Sequence, residues 1–508
     1  MPPGRTIPFR KSRKILDPTR SFMGKKLKMR YKKVLLVNPP SRGEWKGFRP
    51  HIGLGYLAQI LAENGIEYDF LDMNFGYKFK DLQKKIDTFQ PDLVGMSLLT
   101  LEYKKFYELM SAVKANNREI KTIVGGPHVT IFKEKVMNDC PAVDYGVVYE
   151  GEETLVELCE GELSVDKIKG LMSRSNGGIH YPGDREFITN LDKLPFPKYE
   201  KFELKRYIPE VEIYSSRGCP HQCIFCPNRL LSPVYRARSP KHVVDEMEYW
   251  YQKGYRQFNF DDDNFNREKD RVYQICDEIE RRKLKNLFIR CSNGIRADKV
   301  DRPLLSRMKE VGFNYIAFGA DAANDKMLQL VKKGESIEDI EQALKNAYEL
   351  GYDMKLLFVV GTQGETREDV EDKVRLAMKY PFDDVHFYNI IPYPGTELYE
   401  WIEKNNRFLK KPDDYLNDVT FCENNPVFDS PELSAEDRIE LFKYLERVRK
   451  QVHKNTARRK LKSVPLLRHF AAHIVTTDLF LKLFFGSFRL RTFIDRIRYK
   501  MAIRSKSN

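Results

Sequence analysis

The sequence predicts an α/β protein with two sheets in tandem: a doubly wound parallel sheet, then a partial β/α barrel with a helical C-terminal extension. Three observations predict this fold. Apolar strands alternate with amphipathic helices from Lys33 onward, the alternation breaks over residues 163–210, and six further β-α units follow. A length of 508 residues with 42% hydrophobic content suits two domains with extensions.

The first set of β-α units spans residues 33–162. KKVLLVNPP is a predicted buried strand, GLGYLAQILAENG is an amphipathic helix that ends at Gly65, and IEYDFLDM is the next strand. PDLVGMSLL, KTIVGGPHV and DYGVVYEGEETLVELCEG continue the alternation. Repeated units of this length predict a right-handed, Rossmann-like parallel sheet, in which ligands bind at the carboxyl ends of the strands.

The second set is separated from the first by a stretch without periodicity. Residues 163–210 contain Gly177-Gly178 and NLDKLPFPKY and are predicted to be an extended connector. The barrel is predicted over residues 211–405, with strands at VEIYSSRGC, RQFNFDDD, NLFIRCS, FNYIAFGA, MKLLFVVG and DDVHFYNII. Its active site is expected at the C-terminal ends of these strands.

The formal net charge of +14 is concentrated in two tails. Residues 1–33, which include the predicted N-terminal tail 1–32, hold twelve Lys and Arg against Asp17; residues 455–508 hold thirteen against Asp478 and Asp495. The body between them is therefore mildly acidic. Nucleic acid is one possibility for the basic tails, but they contain no recognition motif, so no nucleic-acid partner is expected. A secretory apolar segment and a charge-free stretch of ~18 or more apolar residues are both absent, so the expected location is the cytoplasm.

Three of the cysteines form one compact motif. Cys219-x3-Cys223-x2-Cys226 directly follows a predicted strand, and such clustering indicates metal binding and not a disulfide framework. A structural zinc ion would need a fourth ligand, for which His221 is the alternative, whereas three thiolates leave one iron of a cluster open. The eight cysteines are Cys140, Cys159, Cys219, Cys223, Cys226, Cys276, Cys291 and Cys422.

This loop and the barrel that follows resemble the radical S-adenosylmethionine (SAM) superfamily. The resemblance implies a 4Fe-4S cluster on Cys219, Cys223 and Cys226, whose open iron binds the amino and carboxylate groups of SAM. It also implies electron transfer from a reductant such as flavodoxin or ferredoxin, which cleaves SAM to a 5′-deoxyadenosyl radical. Phe225 is the aromatic residue often found between the second and third cysteines of the family.

Later barrel segments resemble the family's SAM-binding segments in the same order. Asp262-Asp263-Asn264-Phe265 resembles the second-strand motif near the amino end of SAM, and Arg296 in SNGIRAD resembles a third-strand residue. VVGTQGET, with Gly361 and Gly364, resembles the turn after the fifth strand near the adenine, and IIPYPGTELYE resembles the sixth-strand segment.

The segment after the fourth strand departs from this pattern. Related members commonly carry Gly-x-Glu-Ser-Gly there, whereas this sequence reads GADAA over residues 319–323. Asp321 is therefore predicted to replace the usual Glu with a shorter reach.

The first domain is similar to the cobalamin-binding domain that precedes the barrel in one radical SAM subfamily. The similar segments are NPPSRGEWKGFRPHIGLGYLAQILAENG, VGMSLLT, VGGPHVT and YEGEET. Gly125 and Gly126 leave room for a large planar cofactor, and Ser97 and Thr100 can donate hydrogen bonds to its tail. A nucleotide or flavin on the same fold is the alternative.

A cobalt-binding histidine is not expected below the cofactor. The sequence lacks Asp-x-His-x-x-Gly, and the nearest candidates are His51 and His128. We predict that both are ordinary polar residues at helix or strand ends, as the resemblance to most of the subfamily implies.

The extension over residues 406–508 is predicted to be helical and basic. Residues 466–500 mix aromatic and apolar residues with recurring Arg and Lys, a composition typical of a helix in a membrane interface and equally of a helix docked on the barrel. Peripheral contact with the inner face of the membrane is therefore a hypothesis. Its aromatic residues are Phe480, Phe484, Phe485, Phe488 and Phe493.

The resemblance implies a cobalamin-dependent radical SAM enzyme that modifies an unactivated carbon, most often by methylation, of a small-molecule or lipid substrate. The interfacial pattern favours a lipid or isoprenoid. The alternative is a radical cyclase or ring-rearranging enzyme with the same cofactors. A methylthiotransferase would need a further cysteine triplet in the first domain, and a cobalamin sensor would not need the three cysteines.

Overall fold

The computed structural model describes residues 29–40, 49–175 and 177–460, and these residues form two sheets with helices around them. The first sheet contains β1 (Lys33–Asn38), β2 (Glu67–Asp72), β3 (Leu93–Ser97), β4 (Lys121–Gly125), β5 (Tyr145–Val147), β6 (Leu171–Ser175) and β7 (Gly178–His180). The helices of this part are α1 (Ile52–Glu63), α2 (Phe79–Phe89), α3 (Tyr103–Asn116), α4 (Pro127–Phe132), α5 (Glu134–Asp139) and α6 (Glu152–Glu160).

The strand order of the first sheet is β2-β1-β3-β4-β5-β6-β7. Pairs from β2 to β5 are parallel, whereas β6 and β7 add antiparallel. Because the chain reverses its direction of winding between β1 and β3, loops after these strands diverge and leave a crevice at their carboxyl ends. The expected doubly wound sheet is confirmed, and its crevice is the place where a ligand fits.

The predicted connector is more ordered than expected near its start. Residues 171–180 form the β6–β7 hairpin on the edge of the first sheet, and Gly178 at the turn adopts a φ of 131°. The rest of the connector crosses to the barrel, where its aromatic residues fill the interface between the two halves. Phe202 stacks on Phe70 of β2, and Tyr207 donates a hydrogen bond to Asp72 at 2.7 Å.

The second sheet is a six-stranded half-barrel. Its strands are β8 (Glu210–Ile213), β11 (Gln257–Phe260), β12 (Phe288–Ile295), β13 (Phe313–Asp321), β14 (Asp353–Val360) and β15 (Asp384–Asn389). They lie in the order β15-β14-β13-β12-β11-β8, and every neighbouring pair is parallel. A two-stranded ribbon of β9 (Ser216–Arg217) and β10 (Arg236–Ala237) stands at its mouth. The predicted partial barrel is confirmed.

Helices cover the outer face of the half-barrel. They are α8 (Pro240–Gln252), α9 (Lys269–Arg281), α10 (Arg302–Val311), α11 (Asp325–Leu330), α12 (Ile337–Glu349) and α13 (Arg367–Lys379). The short helix α7 (Asn228–Leu231) instead lies between β9 and β10 and contacts α4 of the first domain. Side chains alternate along each strand, so Phe258, Ile289 and Phe318 pack outward beneath the helices. Glu212, Asn259 and Arg290 pair in register on the opposite face, which gives the half-barrel a polar lumen.

The chain after β15 ties the two halves together. It forms α14 (Glu397–Lys404), α15 (Pro412–Tyr415), α16 (Val419–Asn424) and α17 (Ala435–Lys460). Leu398, Tyr415 and Cys422 join the core beneath the first sheet, and α17 packs on β15 and α13. The segment 466–500 and the tail 1–28 lie outside the described residues, and within the described ranges no helix has the length and apolarity to cross a membrane.

Candidate functional site

A deep cleft separates the carboxyl edge of the first sheet from the mouth of the half-barrel. Its cavity volume is about 360 Å³, within the roughly 300–1,000 Å³ of an ordinary small-molecule pocket. The first sheet and its loops contribute Gly53, Gly95, Ser97, Gly125, Gly126 and Gly151, and the barrel contributes Tyr214, Ser216, Arg217, Gly218, Asp261 and Asp263. Both predicted ligand regions therefore open into one cavity.

The glycines give the first-sheet wall its shape. A Cβ on Gly125 would approach only Val147, at 3.6 Å, so a larger side chain there would project into the cleft. Gly126 has a φ of 95°, and its Cβ would lie 2.8 Å from the Ser97 hydroxyl. Bare backbone in this wall allows a flat, bulky ligand to approach closely. Thr100 is not among the residues that line the cleft; its side chain is buried, and its hydroxyl has no hydrogen-bond partner among the described residues.

The three-cysteine loop lies between β9 and β10 at the mouth of the half-barrel. Gly218 adopts a φ of 86°, and its backbone packs against the returning strand of the loop. The Cys219 N–H donates to the carbonyl of Ser232 at 3.1 Å, and the Cys226 N–H donates to the carbonyl of Cys223 at 3.1 Å. The loop is thus closed on itself, and Gly218, Leu231 and Ser232 bring it to the cleft, whereas the three cysteines are not among the residues that line the cleft.

The three thiols are partly exposed, whereas the other cysteines of the described residues are buried. Burial raises the pKa of Cys223 to about 12 and that of Cys226 to about 11. Among the described residues, no three Cys, His, Asp or Glu side chains converge closely enough to hold a single metal ion. A cluster does not require that convergence, because each of its irons takes a separate thiolate. Three free, partly exposed thiols in one closed loop therefore suit an iron-sulfur cluster.

His221 and Phe225 occupy different positions in this loop. The Nε2 of His221 is buried without a hydrogen-bond partner, and burial lowers the pKa of the ring to about 4. Phe225 packs against the apolar core beneath the first sheet. His221 is therefore a neutral imidazole within the loop. Phe225 anchors the loop between its second and third cysteines.

Two aspartates that follow β11 form hydrogen bonds to residues at the start of the cluster loop. Asp262 is buried and accepts hydrogen bonds from Ser215 and Ser216, at 3.0 and 2.5 Å, and burial raises its pKa to about 6. Asp263 accepts from the Gly218 N–H at 3.2 Å and from Asn228 at 2.8 Å. These two predicted cofactor-binding residues thus lie directly beneath the loop.

Two other predicted residues meet at Lys333, whose side chain is 12% exposed. Lys333 binds Asp321 at 2.7 Å, and Asp321 takes a left-handed φ of 61°. Arg296 donates to the backbone carbonyls of Lys333 and Gly334 at 2.9 and 2.8 Å. Burial alone would lower the pKa of Lys333, but Asp321, Glu335 and Cys223 hold it above its usual range. Arg296 and Asp321 therefore fix a cation beside the cluster loop.

Gly361 forms the turn after β14. Its φ is 99°, its N–H donates to Glu365 at 2.6 Å, and its missing Cβ leaves room for the Arg438 guanidinium, whose Nη1 would lie 2.6 Å away. Arg438 in turn comes from α17 and donates to the carbonyl of Phe428. The C-terminal extension thus supports the turn that the sequence assigns to the adenine.

The two candidate histidines of the first domain are engaged elsewhere. His51 caps α1, since its Nδ1 accepts the Leu54 N–H at 3.2 Å. His128 is buried, binds the Tyr107 hydroxyl at 2.8 Å and stacks on Tyr103. Neither lines the cleft.

The sequence matches known families over both halves of this site. Residues 42–159 match the B12 binding domain, and residues 213–377 match the Radical SAM superfamily. An uncharacterized methyltransferase of Pyrococcus horikoshii is 31% identical over 394 residues, which is 75% of this chain and 85% of the relative.

The chain belongs to the radical SAM superfamily.

Other relatives of this radical SAM enzyme act on different substrates. The anaerobic magnesium-protoporphyrin IX monomethyl ester cyclase of Rubrivivax gelatinosus is 27% identical, over 72% of this chain and 69% of the relative. The hopanoid C-3 methylase of Methylococcus capsulatus is 25% identical, over 68% of this chain and 67% of the relative. The family thus includes both methyltransferases and cyclases.

Solved structures share the fold. The cobalamin-dependent radical enzyme OxsB, with aqua-cobalamin and SAM bound, matches with a TM-score of 0.70 at 14% identity, covering 94% of this chain and 82% of that chain. The radical SAM methyltransferase TsrM of Kitasatospora setae, with cobalamin and a [4Fe-4S] cluster bound, matches with a TM-score of 0.63 at 20% identity, covering 75% and 76%.

The B12 binding domain binds cobalamin, and the radical SAM domain binds SAM and a 4Fe-4S cluster. These are therefore the cofactors of this radical SAM enzyme. The residues present fit them. The glycine-lined wall leaves backbone open to a planar group, and three free thiols lie at the barrel mouth. Buried polar atoms also remain without partners there: both amide atoms of Asn264 and the Oδ2 of Asp262.

Several residues of the site carried no sequence signal of their own. Lys333 follows a helix in the interior of the barrel sequence, and only the fold brings its side chain to the loop. Arg217 and Glu150 meet at the cleft wall although they come from the half-barrel and from the first sheet respectively. Asn264 belongs to the second-strand motif Asp262-Asp263-Asn264-Phe265. The sequence does not show that its side chain is buried with both amide atoms lacking hydrogen-bond partners.

Proposed function

We propose that this enzyme transfers a methyl group to an unactivated carbon of its substrate. The observation that carries the proposal is the shared cavity: the glycine-lined wall of the B12 binding domain and Gly218, Leu231 and Ser232 of the three-cysteine loop line the same cleft, and Cys219 directly follows Gly218. Methyl transfer to a carbon radical needs the methyl donor and the radical source within reach of one substrate atom. A single cleft with both walls meets that requirement.

The residues of the chain have separate tasks in this reaction. Cys219, Cys223 and Cys226 hold the cluster, and Asp263 fixes the start of their loop. Lys333, held by Asp321, offers a cation for the carboxylate of SAM.

On the opposite wall, Gly125 and Gly126 admit the corrin ring, and Ser97 is placed to donate a hydrogen bond. The bound cofactors supply the methyl group and the hydrogen-abstracting radical, and the cleft positions the substrate between them.

The proposed substrate class is a lipid or isoprenoid with a polar end. The relative that methylates a hopanoid and the aromatic, basic composition of residues 466–500 support a lipid. The lumen beside the cleft, however, presents Glu212, Asn259 and Arg290. Glu212 faces Arg49, and Asn259 accepts the Ser292 N–H, but the Nε of Arg290 has no hydrogen-bond partner among the described residues. The part of the substrate that enters the lumen is therefore proposed to carry a hydrogen-bond acceptor.

The second candidate function is a radical cyclization or ring rearrangement with the same cofactors. The cyclase of Rubrivivax gelatinosus supports it, because this relative covers 72% of the chain and the hopanoid methylase covers 68%. Product mass separates the two reactions, because methyl transfer adds one CH2 per event.

The test begins with anaerobic reconstitution with iron, sulfide and hydroxocobalamin, followed by absorption spectra and by assay of 5′-deoxyadenosine from SAM under reduction with flavodoxin or ferredoxin. Cluster, bound corrinoid and deoxyadenosine together are the expected result. Bound cluster and deoxyadenosine without corrinoid would contradict methyl transfer from cobalamin while leaving the radical step intact.

A further inference from the structure

The two ends of the three-cysteine loop are held together as a short ribbon. Arg217 of β9 is paired in antiparallel register with Arg236 of β10, and residues 218–235 between them form the loop itself. Two guanidinium groups therefore stand side by side at the base of the loop. Left alone they would repel each other, so their partners determine how the base is held.

Both arginines bind one carboxylate of the B12 binding domain. Arg217 Nη1 lies 2.8 Å from Glu150 Oε1, and Arg236 Nη1 lies 2.8 Å from Glu150 Oε2. Arg217 also reaches Glu152, at 2.6 Å between Nη2 and Oε1. Two positive and two negative charges thus balance across the boundary between the two cofactor domains.

The surroundings make these contacts stronger than surface ion pairs. Arg236 and Glu152 are buried, and the guanidinium of Arg217 lies 5.0 Å from the ring centroid of Tyr56. Burial alone would raise the pKa of Glu150, but Arg217 and Arg236 hold it below its ordinary value. Glu150 also accepts the Ile188 N–H at 2.8 Å. Its carboxylate is consequently charged and fixed in place.

Each member of this group lies next to a cofactor region. Glu150, Glu152, Tyr56 and Arg217 line the cleft, and Arg217 immediately precedes Gly218 and Cys219. The backbone of Gly218 leaves no room for a Cβ against the carbonyl oxygens of Ser232 and Val234, so the start of the loop is in direct contact with its returning end beside the ribbon.

We propose that Glu150 is a positioning residue that fixes the cluster loop relative to the B12 binding domain through Arg217 and Arg236. The interdomain contact sets where the radical source stands with respect to the methyl donor, and it acts through the two arginines without touching either reacting atom. This inference rests on the proposed function for its role in catalysis, but its structural part concerns the protein alone.

The first experiment uses the apoprotein and measures deuterium uptake in peptides covering 218–235. Glu150→Gln keeps the size of the side chain but removes the charge that both arginines need, so uptake in the loop is expected to rise by about 10- to 100-fold in rate. Arg217→Lys keeps the charge but cannot bind two carboxylates at once, and a smaller rise in the same peptides is expected.

The matched control is Glu157→Gln. Glu157 lies on the same helix, α6, and its partner Arg185 lies in the connector, so this pair does not touch the half-barrel. The control is expected to lower the melting temperature without changing uptake over 218–235. The proposal would be overturned if deuterium uptake over 218–235 in Glu150→Gln equalled that of the wild type. It would also be overturned if Glu157→Gln raised this uptake as much as Glu150→Gln does.

The second experiment uses the protein loaded with cluster and cob(II)alamin and measures the EPR power saturation of the cobalt signal. A reduced cluster held at a fixed, short separation enhances relaxation of the cobalt spin, so a weaker enhancement is expected in Glu150→Gln, with partial recovery in Glu150→Asp. Unchanged saturation in Glu150→Gln would overturn the positioning role. Loss of corrinoid from the wild type would instead contradict the proposed function and leave the exchange comparison valid.

Discussion

At the scale of single residues, the three loop thiols differ from the remaining cysteines in access rather than in acidity. Burial raises the pKa of Cys223 and Cys226 as it does that of buried Cys276, so no low pKa marks these residues as ligands. Partial exposure at the barrel mouth distinguishes them. The sequence spacing already carried this information, because three closely spaced cysteines after a strand have few other uses.

Replacement of Cys219, Cys223 or Cys226 by Ala is expected to remove iron and sulfide binding and to abolish deoxyadenosine formation, since two thiolates cannot retain the cluster. Iron content after anaerobic reconstitution and a deoxyadenosine assay measure this. Cys291→Ala is the matched control: it is buried on the outer face of β12 and should cost about 1 kcal/mol of stability without loss of iron. Full iron content in any of the three loop variants would contradict the assignment.

The polar lumen contains a carboxyl pair whose titration can be measured. Burial raises the pKa of Glu212 to about 8, with Arg49 opposing and Asp261 adding to the shift. A carboxyl whose pKa is higher in the folded than in the unfolded state stabilises fully below its unfolded pKa and loses that contribution as pH rises. The stability of the apoprotein should therefore fall between about pH 5 and pH 8.

Glu212→Gln is expected to make the stability less dependent on pH over this range, because the amide does not titrate. Urea unfolding of wild type and variant at several pH values measures the difference, and Glu157→Gln, outside the lumen, should leave the wild-type slope unchanged. Parallel curves for wild type and Glu212→Gln would show that this carboxyl titrates normally.

At the scale of elements, the glycine-lined edge of β4 controls access to the cleft. Gly125→Val is expected to block corrinoid binding, because its side chain would project from the strand into the space beside Val147. The fold should persist, since the residue does not require a left-handed φ. Absorbance of bound hydroxocobalamin after gel filtration measures the effect, with exposed Gly177→Val as the control. Retention of corrinoid by Gly125→Val would place the cofactor elsewhere.

Strand and helix order was largely predictable because apolar periodicity marks each element independently of its neighbours. The β6–β7 hairpin was missed, although Gly177-Gly178 between two short strands is a turn signal. Apolar and polar residues alternate only weakly along these two short strands. The strands are therefore not recognisable until the edge of the sheet on which they pair is known. The meeting of Glu150 with Arg217, 67 residues apart in the chain, depends on domain packing and is not encoded by any local pattern.

At the scale of the whole molecule, the C-terminal helix α17 packs against the half-barrel. Arg438 of α17 supports the Gly361 turn, and His453 binds Asp384 at the start of β15 at 2.7 Å. The buried Thr456 still contacts Phe382, so α17 is integral to the half-barrel up to its last turns. The membrane hypothesis concerns only residues beyond this helix, and a truncation that tests it must spare α17.

A variant ending at Lys460 is expected to keep the melting temperature and deoxyadenosine formation of the full chain, because every contact of α17 described above is retained. The full chain should sediment with vesicles that contain phosphatidylglycerol, since Arg and Lys of residues 466–500 attract anionic lipid by about 1 kcal/mol each. The truncated variant should remain in the supernatant, as both proteins should with phosphatidylcholine alone. Equal sedimentation of both proteins with the anionic vesicles would exclude this segment as the membrane contact, and the lipid substrate would then rest on the hopanoid-methylating relative alone.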